Sequence, residues 1–195
     1  VAAGLAAGLA VDAVLADPSR GHPVAGFGRL AVAVEPRTYR DSRLAGSAYA
    51  LVCTGAVAAL GAAGQRALPS PGSRAALTAV ATWVVVGGAS LRREAALMAS
   101  ILGTDDLDAA RRRITHLCGR NPAALDASGL VRATVESVAE NTSDAVVGPL
   151  FWGAVAGVPG LLAYRAVNTL DAMVGHRSVR YERFGWAAAR APEQW

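Results

Sequence analysis

Two groups of polar side chains able to do acid–base or metal chemistry stand at the ends of one uncharged run. Glu136, Glu140, Asn141 and Asp144 lead into it; Tyr164, Arg165, Asn168 and Asp171 close it. Between Asp144 and Arg165 no residue carries a charge. Arg132, Glu136, Glu140 and Asp144 recur every four residues, so on a helix they share one face and drift by only about 40° per step. Arg132 can pair with Glu136. The two acid–acid spacings are instead repulsive, by roughly 0.2–0.5 kcal/mol each. Such a stripe calls for a cation, and carboxylates beside an amide are hard oxygen ligands that suit Mg²⁺, usually together with substrate phosphates. A solvated acidic face is the plainer alternative. In the second group Tyr164, Asn168 and Asp171 fall at i, i+4 and i+7, a polar edge on an amphipathic helix with Arg165 beside it. An interfacial helix with snorkelling side chains would look the same. Asp12 lies inside the first apolar run, where an ionisable group is functional by default. Asp17 and His22 follow it. A lone His before a Pro is first of all a structural hydrogen-bonder, and no two His have metal-ligand spacing.

The elements that must position these groups are apolar. The chain is 53% hydrophobic, with mean hydropathy +0.32. Uncharged or nearly uncharged runs cover about 1–16, 44–65, 75–91 and 145–164. About 20 helical residues cross a hydrocarbon core of roughly 30 Å. This predicts an all-α, polytopic membrane bundle, a single membrane-embedded domain over 1–195. An Ala-rich soluble bundle is the competing reading. All 19 basic residues are Arg, which excludes a Schiff-base or P-loop lysine. The pI near 9.7 suits anionic lipid headgroups and phosphate-bearing substrates. No basic stripe with interleaved aromatics points to nucleic acid. Cys53 and Cys118 make neither a disulfide framework nor a metal knuckle.

Arginine placement gives a topology. Five lie between Asp17 and Arg43, two between Arg66 and Arg74, and seven between Arg92 and Asp144. The positive-inside rule puts the first and third of these links in the cytoplasm. The link DPSRGHPVAGFG reads as irregular, from its Pro and Gly content. The link 92–144 reads as cytoplasmic helices. One is capped by Thr104 or Asp105, carries an Asp108–Arg112 pair and aligns Leu107, Ala110, Ile114 and Leu117. Its Arg111–Arg113 run is a solvated face near headgroups. Another helix begins near Asp126 or Ser128.

A straight helix over 145–164 would place the two polar groups on opposite sides of the membrane. Pro159-Gly160 lies inside that run with Gly157 nearby, and proline removes a backbone bond and clashes with the preceding turn. Five arginines follow Tyr164, which favours the cytoplasm for the tail as well. The prediction is a broken, re-entrant segment turning near Gly157 to Gly160, so that both groups meet at one cytoplasm-facing site.

Three segments resemble the adenosylcobinamide-phosphate synthases of cobalamin biosynthesis: DAVLADPSRGHPVAGFGRL, RATVESVAENTSDAVVGPLFW and YRAVNTLDAMVGHRSVRYERFGWAAAR. The resemblance implies a bacterial multi-pass protein of the cell membrane. It implies an amide-bond-forming ligase that joins aminopropanol, or its phosphate, to a propionate carboxyl of the corrinoid adenosylcobyric acid, using ATP and Mg²⁺. Homo-oligomers, or assembly with other corrinoid enzymes in the lipid, fit such a protein. On this reading Glu140 and Asp144, with Glu136 or Asn141 nearby, hold Mg²⁺. Arg165 neutralises substrate charge beside Asn168, and Asp171, Asp17 or His22 takes the proton from the amine. Arg132, Tyr164 and Asp12 contribute to substrate binding. Members of the family usually continue after FGWAAAR with an Asp pair and a further membrane region, where this sequence reads APEQW, and carry Asp-Thr where Asn121-Pro122 stands. A C-terminally truncated chain, inactive or not, and a transporter or channel subunit are the alternatives.

Overall fold

The computed structural model describes residues 1–16, 21–104, 106–118, 122–176 and 178–191. Every regular element among them is helical: α1 (Ala2–Leu15), α2 (Pro23–Thr38), α3 (Arg43–Ala67), α4 (Pro71–Val85), α5 (Gly88–Leu102), α6 (Leu107–Ile114), a 3₁₀ turn (Pro122–Ala124), α7 (Ala127–Thr142), α8 (Gly148–Leu170), α9 (Tyr181–Phe184) and α10 (Trp186–Arg190). Two π-turns, Ser143–Val147 and Asp171–Gly175, flank α8.

Three stretches are, by length and composition, long and apolar enough to cross a membrane: Arg43–Ala67, and two that are interrupted, Pro71–Leu102 at Val86 and Ala127–Gly175 at Gly157. The apolar α1 is shorter. Leu44, Leu51, Val52 and Leu60 of α3 and Phe151 and Val155 of α8 stand exposed, as lipid-facing side chains do. With lipid outside, burial of apolar surface cannot drive these helices together, so close backbone approach must. Gly4 and Gly8 of α1 supply it. A Cβ on Gly4 would lie 2.6 Å from Thr78 Cβ of α4, and Gly8 stands in the same relation to Thr82. Gly61 of α3 likewise lets Pro159 of α8 come near.

The segment 145–164 is broken, as its Pro and Gly predict. At Gly157 the backbone takes φ 68°, ψ −149°, and α8 folds back on itself as a hairpin of two half-helices, 148–156 and 158–170. A methyl group on Gly148 would fall inside the Tyr164 ring, and one on Gly160 would meet the Trp152 carbonyl. Leu161 packs against Gly153 beside Leu5 of α1. The twelve residues from Ala145 to Ala156 rise only about 18 Å, short of a hydrocarbon core of roughly 30 Å. The two ends of the hairpin therefore lie on the same side.

Five local expectations are corrected. The run 75–91 is not one span: α4 stops at Val85 and Val86 is extended. Two consecutive glycines weaken the helix there. The freed donors find fixed partners, Gly87 N–H on the Ala145 carbonyl (3.3 Å) and Ala89 N–H on Asp12 Oδ2 (2.9 Å). The supposedly irregular VAGFG is helical, because Pro23 occupies the first turn of α2 and His22 Nδ1 accepts from Val24 N–H (3.2 Å). The cap of α6 is Asp106, which accepts from Ala109 N–H (2.8 Å). Asp108 pairs with Arg111 (3.0 Å) instead of Arg112. Arg111 also reaches the Leu125 carbonyl and Arg113 pairs with Glu94, so two of the three consecutive arginines tie helices together. The expected apolar stripe holds: Ala110 and Ile114 join Met98, Leu130 and Ala133 in one buried cluster, with Leu107 and Leu117 packed against it.

Candidate functional site

The hairpin mouth is built from its own polar residues. Asn168 Nδ2 donates to the Asp144 carbonyl (3.0 Å), across 24 residues of sequence. The buried Tyr164 ring covers Gly148. Each π-turn carries a carboxylate near its start, Asp144 second in one and Asp171 first in the other. A π-turn widens the helix by one residue and rotates the residues beyond it to a new face, and such turns concentrate at functional positions. Here they turn both acids into one cleft of about 1100 Å³, which Glu140 also lines.

The opposite wall comes from the C-terminal segment and the start of α3. Arg43, Ser178, Tyr181, Glu182, Trp186 and Arg190 line it. A buried latch holds that segment. Glu35 of α2, 8% exposed, accepts from Arg180 Nη2 (2.8 Å) and from the Tyr181 hydroxyl (3.2 Å). The Arg180 guanidinium lies over the Tyr39 ring, 4.1 Å from its centroid. Phe184 is buried between Tyr39 and Tyr49, with centroids 5.2 and 5.1 Å away.

The residues singled out from sequence thus separate. Glu140, Asp144 and Asp171 share the cleft. Asn168 and Tyr164 close the hairpin that makes it. Arg165, half-buried and next to Tyr164 in the chain, lies within electrostatic reach of Asp144 and lines a separate apolar pocket of about 160 Å³ with Phe27 and Thr169. Glu136 and Arg132 are exposed on α7 outside the cleft. Asn141 spends its amide on α7 and α6, donating to the carbonyls of Ser137 (2.8 Å) and Leu117 (3.4 Å). Asp12, 4% exposed, caps the start of α5, and His22 caps α2. Asp17 lies outside the described residues. Arg43, Tyr181, Trp186 and Arg190 carry no periodic relation to the acids. Their only sequence signal is membership, for the last three, of the segment ending in FGWAAAR.

Among the described residues no three His, Cys, Asp or Glu side chains meet as a protein-only metal site. Mg²⁺ needs less, keeping several waters and taking one or two carboxylates plus phosphate oxygens. Glu140 and Asp144, four residues apart on the cleft side, fit that demand.

A helical membrane bundle in which a broken hairpin presents an acidic cleft at its mouth is the class that fold and site define. The CobD/Cbib protein family matches residues 5–193, and the chain belongs to that family. The cobalamin biosynthesis protein CobD of Mycobacterium tuberculosis (strain ATCC 25618 / H37Rv) is 55% identical over 189 residues, 97% of this chain and 60% of that protein. Proteins of the same name are 42% identical in Rhodobacter capsulatus, over 87% of this chain and 55% of the relative, and 38% in Geobacter metallireducens, over 94% and 59%. The chain thus spans about 60% of the length of these relatives. No solved structure matches it.

Proposed function

We propose that the protein acts in cobalamin biosynthesis as an amide-forming ligase. It joins aminopropanol or its phosphate to a propionate carboxyl of adenosylcobyric acid, giving adenosylcobinamide or its phosphate. The family and the names of its relatives support the pathway. The convergence of Glu140, Asp144 and Asp171 on one cleft supports the chemistry. Arginine placement supports a mouth that faces the cytoplasm of a bacterial cell.

A carboxylate does not react with an amine unless its oxygen is made a leaving group. ATP with Mg²⁺ supplies that activation, by phosphoryl transfer to the carboxyl oxygen. Glu140 and Asp144 would hold the Mg²⁺. Asp171, across the mouth, accepts a proton from the ammonium so that the nitrogen lone pair can attack the acyl carbon as phosphate departs. Asp12 caps α5 and His22 caps α2, whereas Asp171 lines the cleft itself, which supports it as the acceptor. Asn168 and Tyr164 keep the two acid-bearing turns in register, and Arg165 offsets negative charge near Asp144.

The test is conversion in membranes carrying this chain and, in parallel, a full-length relative. Adenosylcobyric acid, each amine, ATP and Mg²⁺ are supplied and product mass is followed. Product that requires ATP and Mg²⁺ and disappears in Asp171→Asn supports the reading. A full-length relative that forms product without ATP, or whose aligned Asp171→Asn variant turns over normally, contradicts it.

A further inference from the structure

The cleft has two unlike walls. The floor is acidic, with Glu140, Asp144 and Asp171. The other wall carries, beside Glu182, two guanidiniums, Arg43 and Arg190, both in contact with Trp186: their Cζ atoms lie 5.3 Å and 5.2 Å from its ring centroid. Both are exposed, and all three residues line the cavity.

Arginines in a cleft with several carboxylates would be expected to pair with them. Elsewhere this chain pairs Arg111 with Asp108, Arg113 with Glu94, Arg180 with Glu35 and Arg183 with Asp41. Neither Arg43 nor Arg190 makes an ion pair with a described carboxylate. Trp186 holds them instead, through cation–π contacts that fix a guanidinium's plane without neutralising it. Arg43 also breaks a local rule. It is the first residue of α3, and that first turn holds no acid. A cation there opposes the helix dipole, a cost that functional positions tolerate.

We propose that Arg43 and Arg190, oriented by Trp186, form the phosphate-binding wall of the cleft. They would take the phosphate groups of a soluble substrate, a nucleoside triphosphate above all, opposite the acidic floor. The inference rests on this cleft being the reaction site proposed above. A bidentate guanidinium–phosphate contact is both strong and directional. Two of them facing a carboxylate floor can hold a polyphosphate with its divalent ion lodged between the walls.

The test uses the protein in nanodiscs of neutral phosphatidylcholine, with ATP and inorganic pyrophosphate as probes and no corrinoid present. Arg43→Gln and Arg190→Gln are each expected to weaken ATP binding about ten-fold, and the double variant about a hundred-fold, the size of one or two charged hydrogen bonds. Trp186→Phe should retain most of the affinity and Trp186→Leu should lose several-fold of it. Far-UV circular dichroism and melting midpoints check that each variant is folded. Wild-type affinity in the double variant overturns the proposal. So does absence of ATP and pyrophosphate binding to the wild type; arginine-dependent enrichment of phosphatidylglycerol in discs that contain it then makes the wall a lipid-headgroup site. The two readings fail separately. If a full-length relative converts substrate while its arginine variants bind ATP normally, the wall is wrong and the ligase stands. If ATP binds through the arginines and adenosylcobyric acid is never converted, the wall stands and the ligase is wrong.

Discussion

Replacing Gly157 by alanine tests the break on which the site depends. At φ 68° and ψ −149° this residue occupies a region that is essentially closed to side chains, and an L-residue held there costs about 1–3 kcal/mol. The added Cβ would lie 2.9 Å from Gln65 Nε2 and 3.2 Å from its Oε1. Those are the far end of a flexible side chain that can swing aside, so backbone strain dominates over collision. For a chain of this size the strain lowers the melting midpoint by roughly 2–12 °C. Alanine also favours the straight helix by about 1 kcal/mol, which pulls the two half-helices apart and weakens the Asn168–Asp144 contact. Gly55→Ala is the matched control. Gly55 lies inside α3 with nothing within 4 Å of a new Cβ, and alanine there should stabilise by roughly 0.5–1 kcal/mol. Both variants are unfolded in the same detergent and followed by far-UV circular dichroism. A Gly157→Ala protein that melts with or above Gly55→Ala would refute the hairpin and with it the shared cleft.

Three further outcomes are expected from the same geometry. In conversion assays Asp171→Asn should lower turnover by about 10²-fold or more, the usual weight of a general base, while Glu140→Ala and Asp144→Ala should raise the Mg²⁺ concentration needed for half-maximal rate. The N–H of Gly129, and then the hydroxyl of Ser128, hold the Asp126 carboxyl below its usual range. A depressed folded-state value means that the cap's contribution is complete above the ordinary carboxylate pKa near 4 and is lost as pH falls below it. Asp126→Asn should therefore flatten the melting midpoint between pH 5 and 3 relative to the wild type, measured by acid titration in detergent. Glu35→Gln should release Arg180 and the Tyr181 hydroxyl from α2, lowering the melting midpoint and raising KM more than it lowers kcat, because the latch holds a cleft wall and touches no reacting atom.

The parts of this molecule legible in the sequence are those written in a single helix. The charge-free runs mark the apolar helices, four-residue spacing puts Glu140 and Asp144 on one face, and Pro159-Gly160 marks a break. The residue that turns is Gly157, because a residue without Cβ takes the required φ and ψ without strain, whereas the proline sits in the first turn of the returning half-helix. Less legible is everything decided across elements. Asn141 stands among the acids in sequence, yet packing of α7 on the end of α6 gives its amide a carbonyl at Leu117. Asp12 looks like a bare intramembrane charge until α5 starts beside it. The second wall of the cleft escapes periodicity altogether. Trp186 and Arg190 come from the short α10 and Arg43 from the start of α3, and the Glu35–Arg180–Tyr181 latch and the Phe184 cluster help bring those ends together. The π-turns at Asp144 and Asp171 have no sequence signature, although they set where both carboxylates point.

The central claim is that the two acid-bearing turns lie on one side of the membrane. Ser143→Cys and Ala172→Cys, each in a background of Cys53→Ser and Cys118→Ser, can be labelled in sealed vesicles with a membrane-impermeant maleimide. A straight helix would separate these positions by about 43 Å, on opposite faces. The hairpin requires both to react from the same face, the one exposed in inside-out vesicles, and labelling of one from each face would contradict it.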